Sequence, residues 1–213
     1  MCTKGELADF LKHAVTVEEK IDGANLGISM SDQFELRFQN RAHFVNSGSA
    51  AQWSGLDAWS AQFSADLYTL LAPFQRADGT PVRRILFGEW MMARHSVAYD
   101  RLPGYFIAFD IAEVDNEGNG ELLSVARRNE LLAETSIPVI AAVGEGVFTL
   151  DQLLALLKNT TSHYGDELIE GVYLKADDSD RNVSRGKIVR ADFIQNIVTH
   201  WSKKELVKNK IQW

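Results

Sequence analysis

Glu18-Glu19-Lys20-Ile21-Asp22-Gly23-Ala24-Asn25 lies between the alternating run Val15-Thr16-Val17 and a second strand-like piece, Leu26-Gly27-Ile28-Ser29-Met30. Asp22-Gly23 is a turn signal, and extended segments on both sides restrict this part of the chain to strand, turn and strand. A lysine held there presents its amine to a bound molecule while its backbone stays fixed. Two readings of Lys20 stay open on this stretch alone, a nucleophile and a solvated surface charge. Lys-x-Asp-Gly is a short pattern, and most lysines beside turns face water.

The other periodicities bear on the fold class. Phe34, Leu36 and Phe38 alternate with Glu35, Arg37 and Gln39 as in a strand, with Arg41 on the polar face if the strand continues. Trp59, Phe63, Leu67, Leu70 and Leu71 recur at helical spacing, which predicts one amphipathic helix over 56–74 with this stripe in the core. A short helix is expected over 5–13, buried strands over 84–90 and 105–111, and a short strand over 138–143. Ser124 caps a helix to about Glu134, and Thr149 with Gln152 resembles a capping box before the apolar run 150–157. Residues 170–175 and 186–193 read as hairpin arms around the polar loop 177–182, followed by a helix over 195–210 carrying Ile197, Trp201 and Leu206. No repeat or linker interrupts the chain, so one α+β domain over 1–213 is expected.

At 46% hydrophobic and 24% charged residues, the 213-residue chain has the composition of an ordinary soluble globular protein with a sizeable core. No apolar run approaches the roughly 20 residues needed to span a bilayer. Cys2, the single cysteine, excludes an internal disulfide and fits a reducing, cytoplasmic setting. The net charge of −7 opposes polyanion binding unless cations gather in one groove. Arg37, Arg41, Arg83, Arg84, Arg94, Lys175, Arg181, Arg185, Lys187 and Arg190 are candidates, as are Lys203, Lys204, Lys208 and Lys210 near the C-terminus. Scattered solvated charges are the alternative.

Polar residues recur at strand ends where a fold alone does not need them. Lys20 follows one strand, Glu89 closes a second, Phe109-Asp110 sits in a third, Glu170 opens a fourth, and Lys187 and Arg190 lie on a fifth. Singly, each has a plain structural explanation: exposed carboxylates, a core ring, or Lys187 paired with Asp192. In this order the set resembles the covalent nucleotidyltransferases, the superfamily of ATP-dependent RNA and DNA ligases and mRNA capping enzymes. The family's nucleophile motif appears as Lys20-Ile21-Asp22-Gly23-Ala24-Asn25, and its next element as the strand from Arg37 to Arg41. Phe87-Gly88-Glu89-Trp90, Tyr105-Phe106-Ile107-Ala108-Phe109-Asp110-Ile111, Glu170-Gly171-Val172-Tyr173-Leu174-Lys175 and Lys187-Ile188-Val189-Arg190 resemble the remaining four. Ala93-Arg94-His95-Ser96-Val97-Ala98-Tyr99 with Leu102-Pro103 leans towards the RNA ligase branch.

The resemblance implies a nucleotidyltransferase domain of antiparallel sheets with flanking helices and no OB-fold domain. It also implies a reaction in which AMP from ATP joins Lys20, passes to an RNA 5′-phosphate and is displaced by a 3′-hydroxyl. A free lysine amine titrates near 10.4, so such a nucleophile must lose its proton to its surroundings. Lys187, Arg190 and a divalent metal, Mg²⁺ or Mn²⁺, are the cations implied for that and for the developing phosphate charge. Glu170 and Glu89 are implied as metal ligands, Glu89 also at the ribose, Phe109 on the adenine, and Arg41 at the ribose or phosphates. Asp22 would lie beside the nucleophile and Asn25 would orient substrate during sealing. Glu19 is either a base contact through its backbone or a solvated side chain. Two departures stand out: many relatives carry two lysines two apart where Lys187 and Arg190 are three apart, and some carry His where Asp22 stands. Little chain lies outside the motifs, which leaves no room for the additional domain of larger ligases, and an accessory domain or subunit is a candidate partner beside RNA. A DNA ligase core, a capping guanylyltransferase core and a non-ligating nucleotide-binding module are the competing readings.

Overall fold

A computed structural model describes residues 4–190 and 206–212. Its strands form two antiparallel sheets. One contains β1 (Val15–Lys20), β8 (Ala142–Gly146), β9 (Gly171–Asp177) and β10 (Asn182–Val189) in the order β10-β9-β1-β8. The other contains β2 (Ala24–Met30), β3 (Leu36–Gln39), β5 (Pro81–Trp90), β6 (Phe106–Asp115) and β7 (Gly120–Leu122) in the order β3-β2-β5-β6-β7, with the short β4 (Phe74–Gln75) also on β5. The strands β1 and β2 are consecutive in sequence yet belong to different sheets, so residues 21–23 cross between them.

Period-two patterning decides which way each sheet faces. Val15 and Val17 of β1 bury with Val172, Leu174 and Ala176 of β9 against Leu153 and Leu157 of α5 (Leu150–Asn159). Leu26, Ile28, Leu86, Trp90 and Phe106 of the second sheet bury against Trp59 of α2 (Leu56–Gln62) and Leu67, Leu70 and Leu71 of α3 (Ser64–Leu71). Each fully buried side chain of this kind stabilises by about 1.5–3 kcal/mol. With the apolar faces turned outward to helices, the polar residues of both sheets turn towards each other. A third cluster, including Ile21, Met91, Tyr99, Ile107 and Ile140, closes one end of the resulting cleft.

The expected caps are present. Thr149 and Gln152 form a capping box on α5, and Ser124 Oγ accepts from the Arg127 N–H at the start of α4 (Val125–Ala133). The N-terminal helix is α1 (Lys4–Phe10). The described residues thus form the expected α+β arrangement of antiparallel sheets with flanking helices, and none of the helices is long and apolar enough to cross a membrane.

Several boundaries differ from expectation. The predicted helix over 56–74 is two helices broken at Phe63, whose φ of −98° and ψ of 15° leave helical geometry; Phe74 belongs to β4. The break preserves the stripe, because Trp59, Leu67, Leu70 and Leu71 all remain buried. Phe34 lies in a turn at φ +60°, outside β3, and is 59% exposed instead of sharing a face with Leu36. The strand expected over 138–143 begins only at Ala142. Before it, Ala108 donates to Pro138 O and accepts from Ile140 N–H, a short parallel contact around a proline that lacks its own donor. The second hairpin arm starts at Asn182 and pairs as far as Val189↔Gly171, while 191–193 fall outside the described residues. The helix expected over 195–210 is contradicted at its end. Residues 206–212 are not helical: Lys208 bridges Ala93 and Ile211 bridges Leu102. Ile197 and Trp201 lie outside the described residues.

Candidate active site

Lys20 ends β1, one residue before the chain crosses to the second sheet. Thr16, Glu18 and Lys20 share the inner face of β1, and their cross-strand partners on β9 are Lys175, Tyr173 and Gly171. Tyr173 and Lys175 in turn pair with Lys187 and Arg185 of β10, so these polar side chains project from one side of the sheet. Lys20 Nζ is ion-paired with Glu170 Oε1, their side chains 18% and 4% exposed. Burial pushes the Glu170 carboxyl up, against the pull of the Lys20 charge. Its second oxygen, Oε2, is buried without a hydrogen-bond partner.

Asn25 of β2 and Glu89 of β5 are paired residues of the opposite sheet and face the same cleft. Glu89 Oε1 accepts from the Gly23 N–H at 3.2 Å. Gly23 needs no positive φ here; a Cβ would sit 2.7 Å from Trp90 O and from the Met91 sulfur, so only glycine lets the crossing segment approach β5. Burial raises the Glu89 carboxyl to about 7, although the Lys20 charge and the Gly23 N–H both pull it down.

Phe109 reaches the cleft through a bulge. Phe87 pairs with Asp110 and Gly88 with Ala108, leaving Phe109 as the extra residue of β6. Its carbonyl accepts from Arg128 at 2.5 Å and from Lys175 at 2.6 Å. Lys175 and Arg128 each lie 2.6 Å from buried Glu18, Lys175 also bonds Asp110 at 2.8 Å, and Arg185 bonds Asp110 at 3.0 Å. Two carboxylates therefore face three cations beneath the bulge, and the network fixes it from below.

A cavity of about 210 Å³ opens above this network, lined by Lys20, Asn25, Arg41, Glu89, Phe109, Ile140, Tyr173 and Arg185 among others. It adjoins a groove of about 520 Å³ lined by Lys20, Asp22, Asn25, Arg41, Gln52, His95, Glu89, Glu170, Tyr173 and Lys187. Lys20, Asn25, Arg41, Glu89 and Tyr173 belong to both, which places the lysine where the two meet. Asp22 is held at both ends: its N–H donates to Tyr99 Oη at 2.9 Å, and its Oδ2 accepts from the Ser96 N–H at 2.7 Å.

Of the residues expected at a site, Lys20, Asp22, Asn25, Arg41, Glu89, Phe109, Glu170 and Lys187 converge on the cavity or groove. Glu19 borders the cavity, but its side chain is neither solvated nor turned to a ligand; it accepts from Ser162 Oγ at 2.5 Å and from the His163 N–H at 3.0 Å. Arg190 lies past the end of β10, where its N–H bonds Glu170 O, and lines neither space. Arg185, two residues before Lys187, lines the cavity instead. The spacing Arg185-Gly186-Lys187 carried that signal, since residues two apart share a strand face. Tyr173 had the same signal; Tyr99 and Ser96 had none, being brought to Asp22 by the fold.

For a divalent cation the chain offers the two carboxylates Glu89 and Glu170, one with an orphaned buried oxygen. No group of three or more His, Cys, Asp and Glu that could hold a metal occurs among the described residues. That donor set fits a hard ion completed by phosphate and water oxygens.

Comparison with known proteins agrees with the geometry. A family model described as RNA ligase matches residues 13–189. The Naegleria gruberi RNA ligase with PPi superposes with a TM-score of 0.67 at 15% identity, over 89% of this chain and 54% of that one. A mutant of the same ligase with ATP and Mn gives 0.67 at 14% identity, over 90% and 54%. Another mutant, with AMP and Mn, gives 0.66 at 14% identity, over 90% and 54%. The chain thus spans about half the length of these solved chains, and the likeness is one of fold. Comparison with curated proteins found no match. Matched by the family model over most of its length, the chain belongs to the RNA ligase family.

Proposed function

We propose that this chain is an ATP-dependent RNA ligase that works through a covalent adenylate on Lys20. The observation that carries the reading is the position of the Lys20 amine, at the junction of a ring-lined cavity and a groove bearing carboxylates and cations. Phe109 and Ile140 would hold the adenine, Glu89 the ribose, and Arg41 and Lys187 the phosphates. Lys20 Nζ attacks the α-phosphorus, the bond to the β-phosphate breaks, pyrophosphate leaves, and the amine's protons pass to solvent. Before attack the amine must leave Glu170. A divalent ion, Mg²⁺ or Mn²⁺, held by Glu170 and Glu89 with phosphate and water oxygens, would supply positive charge at the phosphates and occupy the carboxylate that pairs with Lys20. Asp22, fixed by Tyr99 and Ser96, keeps the crossing segment and hence Lys20 in place. AMP then passes to an RNA 5′-phosphate, and a 3′-hydroxyl displaces it, with Asn25 orienting the ends.

The Naegleria ligase structures with ATP and Mn, and with AMP and Mn, support nucleotide and metal use by this fold. Because the chain spans about half of those proteins, a further domain or subunit is proposed to complete the grip on RNA. A single cysteine fits a cytoplasmic setting. Incubation with α-labelled ATP and, separately, GTP, followed by a denaturing gel, tests the reading. Wild type should carry label from ATP and Lys20→Ala none. Label retained by Lys20→Ala, or taken from GTP instead, defeats it; label that never passes to a 5′-phosphorylated strand points to a non-ligating module.

A further inference from the structure

The chain has eleven phenylalanines, and among the described residues only Phe34 and Phe44 are exposed, at 59% and 62%. Both flank β3, which lies at the edge of its sheet. Phe44 is not exposed through looseness. Asn40 Oδ1 accepts from the Ala42 and His43 N–H groups at 2.8 Å, the Asn40 N–H donates to His43 O at 2.9 Å, and the Val45 N–H donates to Phe38 O at 2.8 Å. Val45, 5% exposed, anchors the loop in the core. The same loop presents Asn40, Arg41 and Ala42 as a wall of the groove that holds Lys20. The Arg37 guanidinium lies 6.0 Å from the centre of the Phe44 ring. Phe34 sits in the turn at the other end of β3.

Along this edge a ring, a cation, a second ring and a second cation therefore succeed one another, Phe34, Arg37, Phe44 and Arg41, and the last opens into the groove. We propose that the edge is the path of an unpaired RNA strand whose end is brought to Lys20. Bases stack on Phe44 and, further out, on Phe34, while Arg37 and Arg41 meet backbone phosphates. The inference rests on the ligase reading and adds to it the surface that carries the polynucleotide. Exposed rings interleaved with cations suit single strands of any sequence, because every base has a face to stack and every nucleotide a phosphate. The opposing charges are few: Glu35 lies between Phe34 and Leu36, and Asp32 is paired with Arg83 at 3.0 Å. An apolar protein partner would find cations around the ring instead of a continuous apolar patch.

The test measures anisotropy of a fluorescent, 5′-phosphorylated single-stranded RNA together with RNA-free formation of the lysyl adenylate. Phe44→Ala should weaken RNA binding about tenfold, the scale of one lost base stack. Phe44→Trp should restore it, and Arg37→Gln should weaken it and flatten its salt dependence. All three should form the adenylate at the wild-type rate. Unchanged RNA affinity in Phe44→Ala overturns the proposal, as does loss of adenylation in parallel with RNA binding, which marks a structural role. A change in self-association with RNA binding intact assigns the ring to a protein interface and also overturns it. If wild type forms no adenylate the ligase reading fails, and the anisotropy arm still decides this surface. If it adenylates normally but binds no RNA, this surface alone fails.

Discussion

At the residue scale, Glu89 carries the most informative conflict. Its carboxyl is buried beside Lys20 yet titrates near 7, because the cost of desolvating the anion exceeds what the Lys20 charge and one N–H return. In the folded protein it stays protonated between pH 4.5 and 7 while the unfolded chain has already ionised, so stability falls as pH rises across that window and is flat above it. Glu89→Gln removes the effect. In metal-free buffer the variant should gain on wild type by up to roughly 3 kcal/mol between pH 4.5 and 7. Urea unfolding at a series of pH values measures this, and two parallel curves would refute the burial argument. Phe109 separates binding from folding in another way. Its ring is half-buried at a bulge whose carbonyl is pinned by Arg128 and Lys175, so its fold contribution is small beside its place in the cavity. Phe109→Ala should raise the KM for ATP in adenylation at least about fivefold and, for a half-buried ring, cost about 1–2 kcal/mol of stability. A melting loss with unchanged KM would make the ring a core residue only.

At the element scale, the C-terminal strap, residues 206–212, bears on the crossing segment beside Lys20, the proposed nucleophile, from a distance. Asn209, 4% exposed, accepts from the Tyr99 N–H at 3.1 Å and donates to Met91 O at 2.7 Å, while the Lys210 N–H bonds Tyr99 O at 2.9 Å. Tyr99, held on both backbone groups, accepts the Asp22 N–H on its hydroxyl oxygen. The strap thus reaches Asp22, two residues from Lys20, through two hydrogen-bonded links. Tyr99→Phe and Asn209→Ala should each slow adenylation several-fold at saturating ATP with little change in KM. The double variant should be scarcely slower than the worse single one, since both break the same chain. Multiplying effects would mean independent destabilisation. This device was not legible in the sequence. An asparagine beyond 100 residues in separation carries no local signal, and the helical pattern expected over 195–210 pointed the other way at its end. What was legible is what period and punctuation control: the caps at Ser124 and Thr149, the buried stripe of Trp59 to Leu71, and Lys20, Glu89 and Glu170 at strand ends. What was missed depends on pairing across the chain. The bulge that frees Phe109 exists only relative to β5, the diversion of Glu19 only once Ser162 packs beside it, and the use of Arg185 only opposite Asp110.

At the scale of the whole molecule, a net charge of −7 and the proposed RNA substrate are reconciled by where the charges lie. The network under the cavity sets Glu18 and Asp110 against Lys175, Arg128 and Arg185, an excess of one cation. In the groove, Lys20, Arg41 and Lys187 face Asp22, Glu170 and Glu89, whose carboxyl burial raises to about 7. The cleft is thus near neutral to mildly positive within an acidic surface, which is weak attraction for a strand and leaves much of the work to stacking and to a divalent ion. Two phosphate contacts, from Arg37 and Arg41, predict a slope of about −1.4 for log affinity of single-stranded RNA against log salt. An acidic exterior should repel rather than add to that figure. A measured slope steeper than about −4 would require a basic surface that these residues do not form, and a slope near zero would remove the phosphate contacts altogether.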